Sequence, residues 1–198
     1  MNKVYYAEAV YNNKEIKAVT KVLKTQRLSL MDGKNVKIFE SKISRLFGKK
    51  FGLMVNSGSS ANLLALASLN LKPKSEIITP TLTFSTTVAP IYQLGFIPKF
   101  IDVEEGKFVA NLDQLKKAIT SKTKAIMIPN LLGNIPDWKE IRRICNKNNI
   151  IIIEDSADTL GYTINNTIQG KYSDVVTTSF YASHIVTGAG FGLSLIHI

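Results

Sequence analysis

From residue 51 onward the sequence alternates short, almost wholly apolar runs with segments of helical periodicity, and this alternation most narrows what the chain can become. Apolar runs at 52–55, 76–79, 97–101, 125–128, 150–153 and 175–180 are interleaved with helical segments that open at Ser59, Ser85 and Asp137. A strand that is apolar on both sides has both faces covered, and an intervening helix carries the chain back so that consecutive strands run parallel. The pattern predicts an α/β domain, a mainly parallel sheet covered by helices on both faces. Two amphipathic helices, 14–24 and 36–47, precede it, with Ile16, Val19 and Leu23 at helical spacing. No repeat, low-complexity tract or long linker interrupts the alternation, so no domain boundary is placed inside 1–192.

A chain of 198 residues, 45% of them hydrophobic, can fill one core and is excluded from the disordered class. Its longest apolar runs fall far short of the roughly 20 residues of a membrane span. The start, Met1-Asn2-Lys3-Val4-Tyr5, lacks the apolar stretch of a secretory signal, and the lone Cys145 cannot form an intrachain disulfide, so a reducing cytoplasm is the expected compartment. The net charge of +10 (25 basic less 15 acidic) comes from lysines scattered over many segments. No arginine stripe with interleaved aromatics accompanies it, which argues against a nucleic-acid partner and leaves a mild field that draws phosphorylated ligands.

Three constellations carry chemistry. Asn56-Ser57-Gly58-Ser59-Ser60-Ala61-Asn62 follows a strand and opens a helix, so free backbone amides of the first turn can bind an anion. Gly58 lets a phosphate approach the backbone, and Ser59 is placed to cap the helix and donate to an oxygen; the segment also reads simply as a capped helix start. Glu154-Asp155-Ser156-Ala157-Asp158 ends the run 150–153, where open α/β sheets hold their ligands, and its carboxylates are expected to converge on a cleft. One of them can bind a metal, orient a histidine, pair with a protonated pyridinium nitrogen or cap the next turn. Metal ranks last, since one cysteine and two histidines leave too few further ligands. Ser179-Phe180-Tyr181-Ala182-Ser183-His184 closes the final run with Gly188-Ala189-Gly190 behind it, which predicts an exposed strand-end His184 facing the same cleft as Asp155. Imidazole exchanges protons near neutral pH, as a proton carrier must. The other histidine, His197, lies in the closing stretch.

In this order the motifs resemble the DegT/DnrJ/EryC1/StrS family of pyridoxal-phosphate (PLP) nucleotide-sugar enzymes, which share the fold type I aminotransferase architecture. The resemblance implies that Gly58, Ser59 and the Ser179 hydroxyl bind the cofactor's phosphate, and that Asp155 pairs with its ring nitrogen. Phe84, within Pro80-Thr81-Leu82-Thr83-Phe84-Ser85-Thr86-Thr87, would stack on the pyridine ring. Asp158, where the family's aminotransferases often carry glutamine, would lie near the phenolic oxygen.

One position departs from the aminotransferases. Five residues after the serine matched by Ser179 they carry the Schiff-base lysine; here that residue is His184, and the only lysine beyond Asp155 is Lys171, outside the motif. Histidine there resembles the family's 3-dehydratases, which act on nucleotide-linked 4-keto-6-deoxyhexoses on the way to 3,6-dideoxyhexoses such as colitose, an O-antigen sugar. Leu28-Ser29-Leu30-Met31-Asp32-Gly33 resembles that branch as well. The resemblance implies PLP and its pyridoxamine form (PMP) as cofactor, a catalytic His184 that moves a proton where the lysine would, and expulsion of the sugar's C3 hydroxyl. It also implies glutamate as amino donor and a homodimer; the short apolar runs separately predict no membrane partner. It covers about the first half of a family member: 1–192 would be the N-terminal part of the PLP-binding large domain, 193–198 reads as a non-native tail, and a C-terminal domain would lie beyond. Two other readings are an aminotransferase of the same fold, against which His184 speaks, and a non-catalytic module that binds cofactor or sugar nucleotide, against which Asp155 speaks.

Overall fold

The computed structural model describes residues 10–26, 28, 30, 33–188 and 194–196. α1 (Asn13–Thr25) begins with a reciprocal cap: Asn12 Oδ1 accepts from the Lys14 amide at 2.8 Å while the Glu15 carboxylate accepts from the Asn12 amide at 2.7 Å. Its apolar face forms as the spacing predicts, yet none of its residues is buried within the described chain. α2 (Lys34–Leu46) does reach a core. Ile43 and, just beyond the helix, Phe47 pack with Val176 and Phe180, and the rings of Phe39 and Phe180 meet edge to face at 5.0 Å.

The alternation follows: β1 (Leu53–Val55), α3 (Gly58–Ala67), β2 (Glu76–Pro80), α4 (Ser85–Gln93), β3 (Ile97–Ile101), α5 (Leu112–Ala118), β4 (Thr123–Pro129), α6 (Trp138–Asn148) and β5 (Ile151–Ser156). A hairpin of β6 (Thr163–Ile164) and β7 (Thr167–Ile168) leads to β8 (Val175–Thr178), and β9 (Ser194–Ile196) comes last. Five strands form one all-parallel sheet in the order β3-β2-β4-β5-β8, as the mainly parallel expectation requires. The run 52–55 holds a strand that stays out of this sheet, because β1 pairs antiparallel with β9, within the closing stretch 193–198.

Side chains of adjacent strand residues point to opposite faces, and each face has its own core. On one, Ile78, Ile126, Ile128 and Ile152 pack with Leu115, Trp138, Ile141 and the fully buried Cys145. On the other, Ile77, Ala125, Met127 and Ile153 pack with Ala61, Ala65 and Leu66 of α3 and Ile91 of α4. The face reached by Ile153 is therefore the α3–α4 face, and the face reached by Ile152 is the α6 face. Among the described residues no helix is long and apolar enough to cross a membrane.

Candidate functional site

The candidate residues all lie at or after strand ends: Gly58 and Ser59 follow β1, Phe84 follows β2, Asp155 is near the end of β5 with Asp158 just beyond it, and Ser179 and His184 follow β8. The loops after the parallel strands β2, β5 and β8 share one edge, where such sheets bind ligands, and Gly58 reaches it through its close approach to Ser179.

At the start of α3 the cap is Ser57 rather than Ser59. The Ser57 hydroxyl accepts from the Ser60 amide at 3.1 Å, and the Ser57 carbonyl takes the Ala61 amide at 3.1 Å. The cap precedes the first helical residue, and that residue is Gly58, one position earlier than the sequence suggested. The amides of Gly58 and Ser59 are left without partners inside the helix. Gly58 is a matter of space: a Cβ there would stand 3.0 Å from Ser179 Cβ and 3.2 Å from Ser179 Oγ. The missing side chain lets Ser179 close on the α3 N-terminus, and the free amides and the Ser179 hydroxyl together form a polar notch suited to a phosphate.

The two adjacent carboxylates do not converge. Strand alternation sends Asp155 to the α3–α4 face, where Oδ2 accepts from Asn62 Nδ2 and from Thr87 Oγ1, each at 2.8 Å, and Oδ1 accepts from the Ala157 amide at 3.2 Å. It sends Glu154 to the α6 face, where Oε1 accepts from Asn130 Nδ2 and Ser156 Oγ at 2.9 Å and Oε2 from Ser173 Oγ at 2.8 Å. Burial pushes both carboxyls above their ordinary range, and the hydrogen bonds pull the other way. Glu154 lies in the interior and Asp155 at the site.

Phe84, immediately before α4, is 69% exposed, so its ring remains available to a ligand. Its carbonyl takes the Thr87 amide at 3.0 Å, which ties it to the residue that holds Asp155. β8 ends at Thr178, two residues short of the predicted run, and His184 lies in the turn beyond it rather than at a strand end. That turn is closed by the His184 amide donating to the Tyr181 carbonyl at 2.9 Å, and it draws the imidazole in until 18% of the side chain is exposed. Nε2 is 3.8 Å from Asp158 Oδ1, and Nδ1 is buried with no partner among the described residues. Asp158 is anchored by its other oxygen, which accepts the Leu132 amide at 2.8 Å. Thus Gly58 meets Ser179, and Asp158 meets His184. Asn62, Thr87 and Thr177, absent from the candidate set, connect α3, α4 and β8 to Asp155. The signal for Asn62 was a polar residue among Ala61, Ala65 and Leu66 on a buried helix face.

Residues 29, 31 and 32 of segment 28–33, together with 189–193 and His197, lie outside the described residues. Among those described, no three His, Cys, Asp or Glu side chains are grouped to hold a metal ion. The residues present fit PLP: a notch of amides and hydroxyl for a phosphate, an open aromatic face, and a buried carboxylate with one lightly bonded oxygen.

The profile of the DegT/DnrJ/EryC1/StrS aminotransferase family matches residues 10–194. GDP-4-keto-6-deoxy-D-mannose 3-dehydratase of Escherichia coli O55:H7 is 38% identical over 93% of this chain and 49% of its own length. dTDP-4-dehydro-2,6-dideoxy-D-glucose 3-dehydratase of Saccharopolyspora spinosa is 41% identical over 82% of this chain and 37% of its own. A crystal structure of GDP-4-keto-6-deoxymannose-3-dehydratase with a trapped PLP-glutamate adduct superposes with a TM-score of 0.90 at 34% identity, covering 98% of this chain and 51% of that one. The chain spans about half the length of these relatives, or less.

Proposed function

The chain belongs to the DegT/DnrJ/EryC1/StrS aminotransferase family, and on that premise we propose that its protein is a PLP-dependent 3-dehydratase of a nucleotide-linked 4-keto-6-deoxyhexose. Residues 1–192 would supply the N-terminal part of the cofactor-binding domain of a cytoplasmic homodimer. The observation that carries the reading is the residue at 184: past the end of β8, where the family's lysine would stand, is an imidazole beside Asp158. An imidazole can take up and return a proton near neutral pH, but it has no amine to condense with a carbonyl.

The amides of Gly58 and Ser59 and the hydroxyl of Ser179 would bind the phosphate, Phe84 would cover one face of the ring, and Asp155 would keep a proton on the ring nitrogen. Asp158 serves the phenolic-oxygen side and steadies His184. When bound, the pyridoxamine form supplies an amine for the sugar's C4 carbonyl and a ring that spreads negative charge. His184 would be the group that takes up the proton from the C4′ side as the sugar's C3 hydroxyl leaves. Overall the sugar loses one oxygen, and glutamate becomes 2-oxoglutarate and ammonia. The relatives' names support both the substrate class and glutamate.

The test is to incubate PLP-loaded full-length protein with glutamate and GDP- or dTDP-linked 4-keto-6-deoxyhexose. A sugar product lighter by one oxygen, formed with equal amounts of 2-oxoglutarate and ammonia, supports the dehydratase. A product carrying a new amine, with no ammonia released, would make it an aminotransferase.

A further inference from the structure

Asp155 is held by buried side chains that none of the sequence motifs singled out for a role. Among the described residues both strong hydrogen bonds to it, from Asn62 Nδ2 and Thr87 Oγ1, fall on Oδ2, while Oδ1 carries only the 3.2 Å bond from the Ala157 amide. The direction of each donor is fixed in turn. The Thr177 hydroxyl donates to Asn62 Oδ1 at 2.6 Å, so the Asn62 amide cannot flip and must turn its N–H groups toward Asp155. Thr177 is the register partner of Asp155 across β5 and β8, so one ladder places both the carboxylate and the lock. Thr83 Oγ1 lies 2.9 Å from Thr87 Oγ1 and donates to it, which leaves the Thr87 proton for Asp155. Asn62, Thr87, Asp155 and Thr177 are all buried, where such bonds are stronger than in water.

We propose that Asn62 and Thr87 are positioning residues that set the proton affinity of Asp155, and through it how fully the cofactor's ring nitrogen is protonated. The proposal rests on the reading of Asp155 as that nitrogen's partner. A proton between Oδ1 and the ring nitrogen goes to whichever holds it more tightly. Two donors on Oδ2 favour the ionised carboxylate and so leave the proton on the ring. Burial acts in the opposite sense on this carboxyl, so without the donors the carboxyl would reclaim the proton and the ring would be a poorer acceptor of negative charge. Losing one hydrogen bond to a charged group shifts such a balance by about 10- to 100-fold.

The experiment loads full-length protein with PMP labelled with nitrogen-15 in the ring and compares Thr87→Val, Thr87→Ser, Asn62→Leu and Asp155→Asn with the parent. Thr87→Val, which is nearly isosteric, keeps the test intact if Asn62→Leu fails to fold. The expected result is a ring-nitrogen resonance that moves from the pyridinium position toward neutral pyridine in Thr87→Val and returns in Thr87→Ser. With it, kcat falls about 10-fold or more while KM for the sugar nucleotide stays within about 2-fold. A resonance that moves in Asp155→Asn but not in Thr87→Val would overturn the positioning role alone. A resonance unmoved in Asp155→Asn would overturn the assignment of Asp155, and the inference with it.

Discussion

Replacing Gly58 by alanine tests the notch at the start of α3. The added methyl would stand 3.0 Å from Ser179 Cβ and 3.2 Å from its Oγ, closer than carbon atoms normally approach. Gly58 has an ordinary negative φ, so the backbone accepts alanine and the effect is steric. Overpacking by one methyl costs about 1–3 kcal/mol, and replacing glycine with alanine in a helix returns up to about 1 kcal/mol. Net destabilisation is therefore about 0–3 kcal/mol, which a shift in Tm would register. Affinity for the cofactor should respond more, because the methyl displaces the Ser179 hydroxyl from beside the α3 amides with which it would hold the phosphate; the loss of one charge-assisted hydrogen bond alone is worth about 10-fold or more. Equilibrium dialysis of PLP and PMP against full-length parent and Gly58→Ala, with melting curves of the cofactor-free forms, separates the two. Adding Ser179→Gly to Gly58→Ala should restore Tm without restoring affinity. Gly58→Ala protein that binds PLP within about 2-fold of the parent would refute the notch as a phosphate site.

Full-length protein as it stands should lose all its PLP on borohydride treatment and denaturation, whereas His184→Lys should retain cofactor mass and stop dehydrating; retention by the parent would refute the role given to His184. His184→Asn should bind PLP about as tightly as the parent yet lose turnover by about 100-fold or more, as removal of a proton carrier requires; unchanged turnover would remove His184 from the chemistry. Burial raises the Glu154 carboxyl above its ordinary 4.5, so the folded state binds this proton more tightly than the unfolded chain. The contribution is therefore complete below 4.5 and is lost as pH rises through the raised value. Glu154→Gln can keep the bonds to Asn130, Ser156 and Ser173, and its stability should exceed the parent's increasingly as pH climbs from about 4 to 8; parallel denaturation curves over that range would contradict this.

The strands were legible because burial on both faces demands apolar runs, and 125–128 and 150–153 became the fully flanked centre of the sheet, β4 and β5. α5 was not legible: seven residues are too few for a helical period to stand out. The β6–β7 hairpin has two-residue strands around Asn165 and Asn166, whose positive φ values of 49° and 58° suit a tight turn that neither flanking apolar pattern announces. The opposite destinations of Glu154 and Asp155 were legible and were misread, since neighbours on a strand cannot face one cleft. Asn62 and Thr87 were harder to see. Their role depends on α3 and α4 meeting β5 at one point, a coincidence of helices 24 residues apart in their contacts that no local pattern encodes.

Cys145 gives this fold an internal clock. It is the only cysteine, is completely buried among Ile141, Ile152 and their neighbours, and burial pushes its thiol up to about 12. Only the thiolate reacts readily with disulfide reagents, so the native side chain is protected twice, by exclusion and by protonation. Labelling must wait until α6 lifts from the sheet, and its rate divided by that of an exposed thiol gives the free energy of that opening. If ligand binding slows labelling by the same factor as its saturation predicts, α6 opens only when the cofactor side of the sheet opens too. If labelling ignores the ligand, the two faces of one sheet breathe independently.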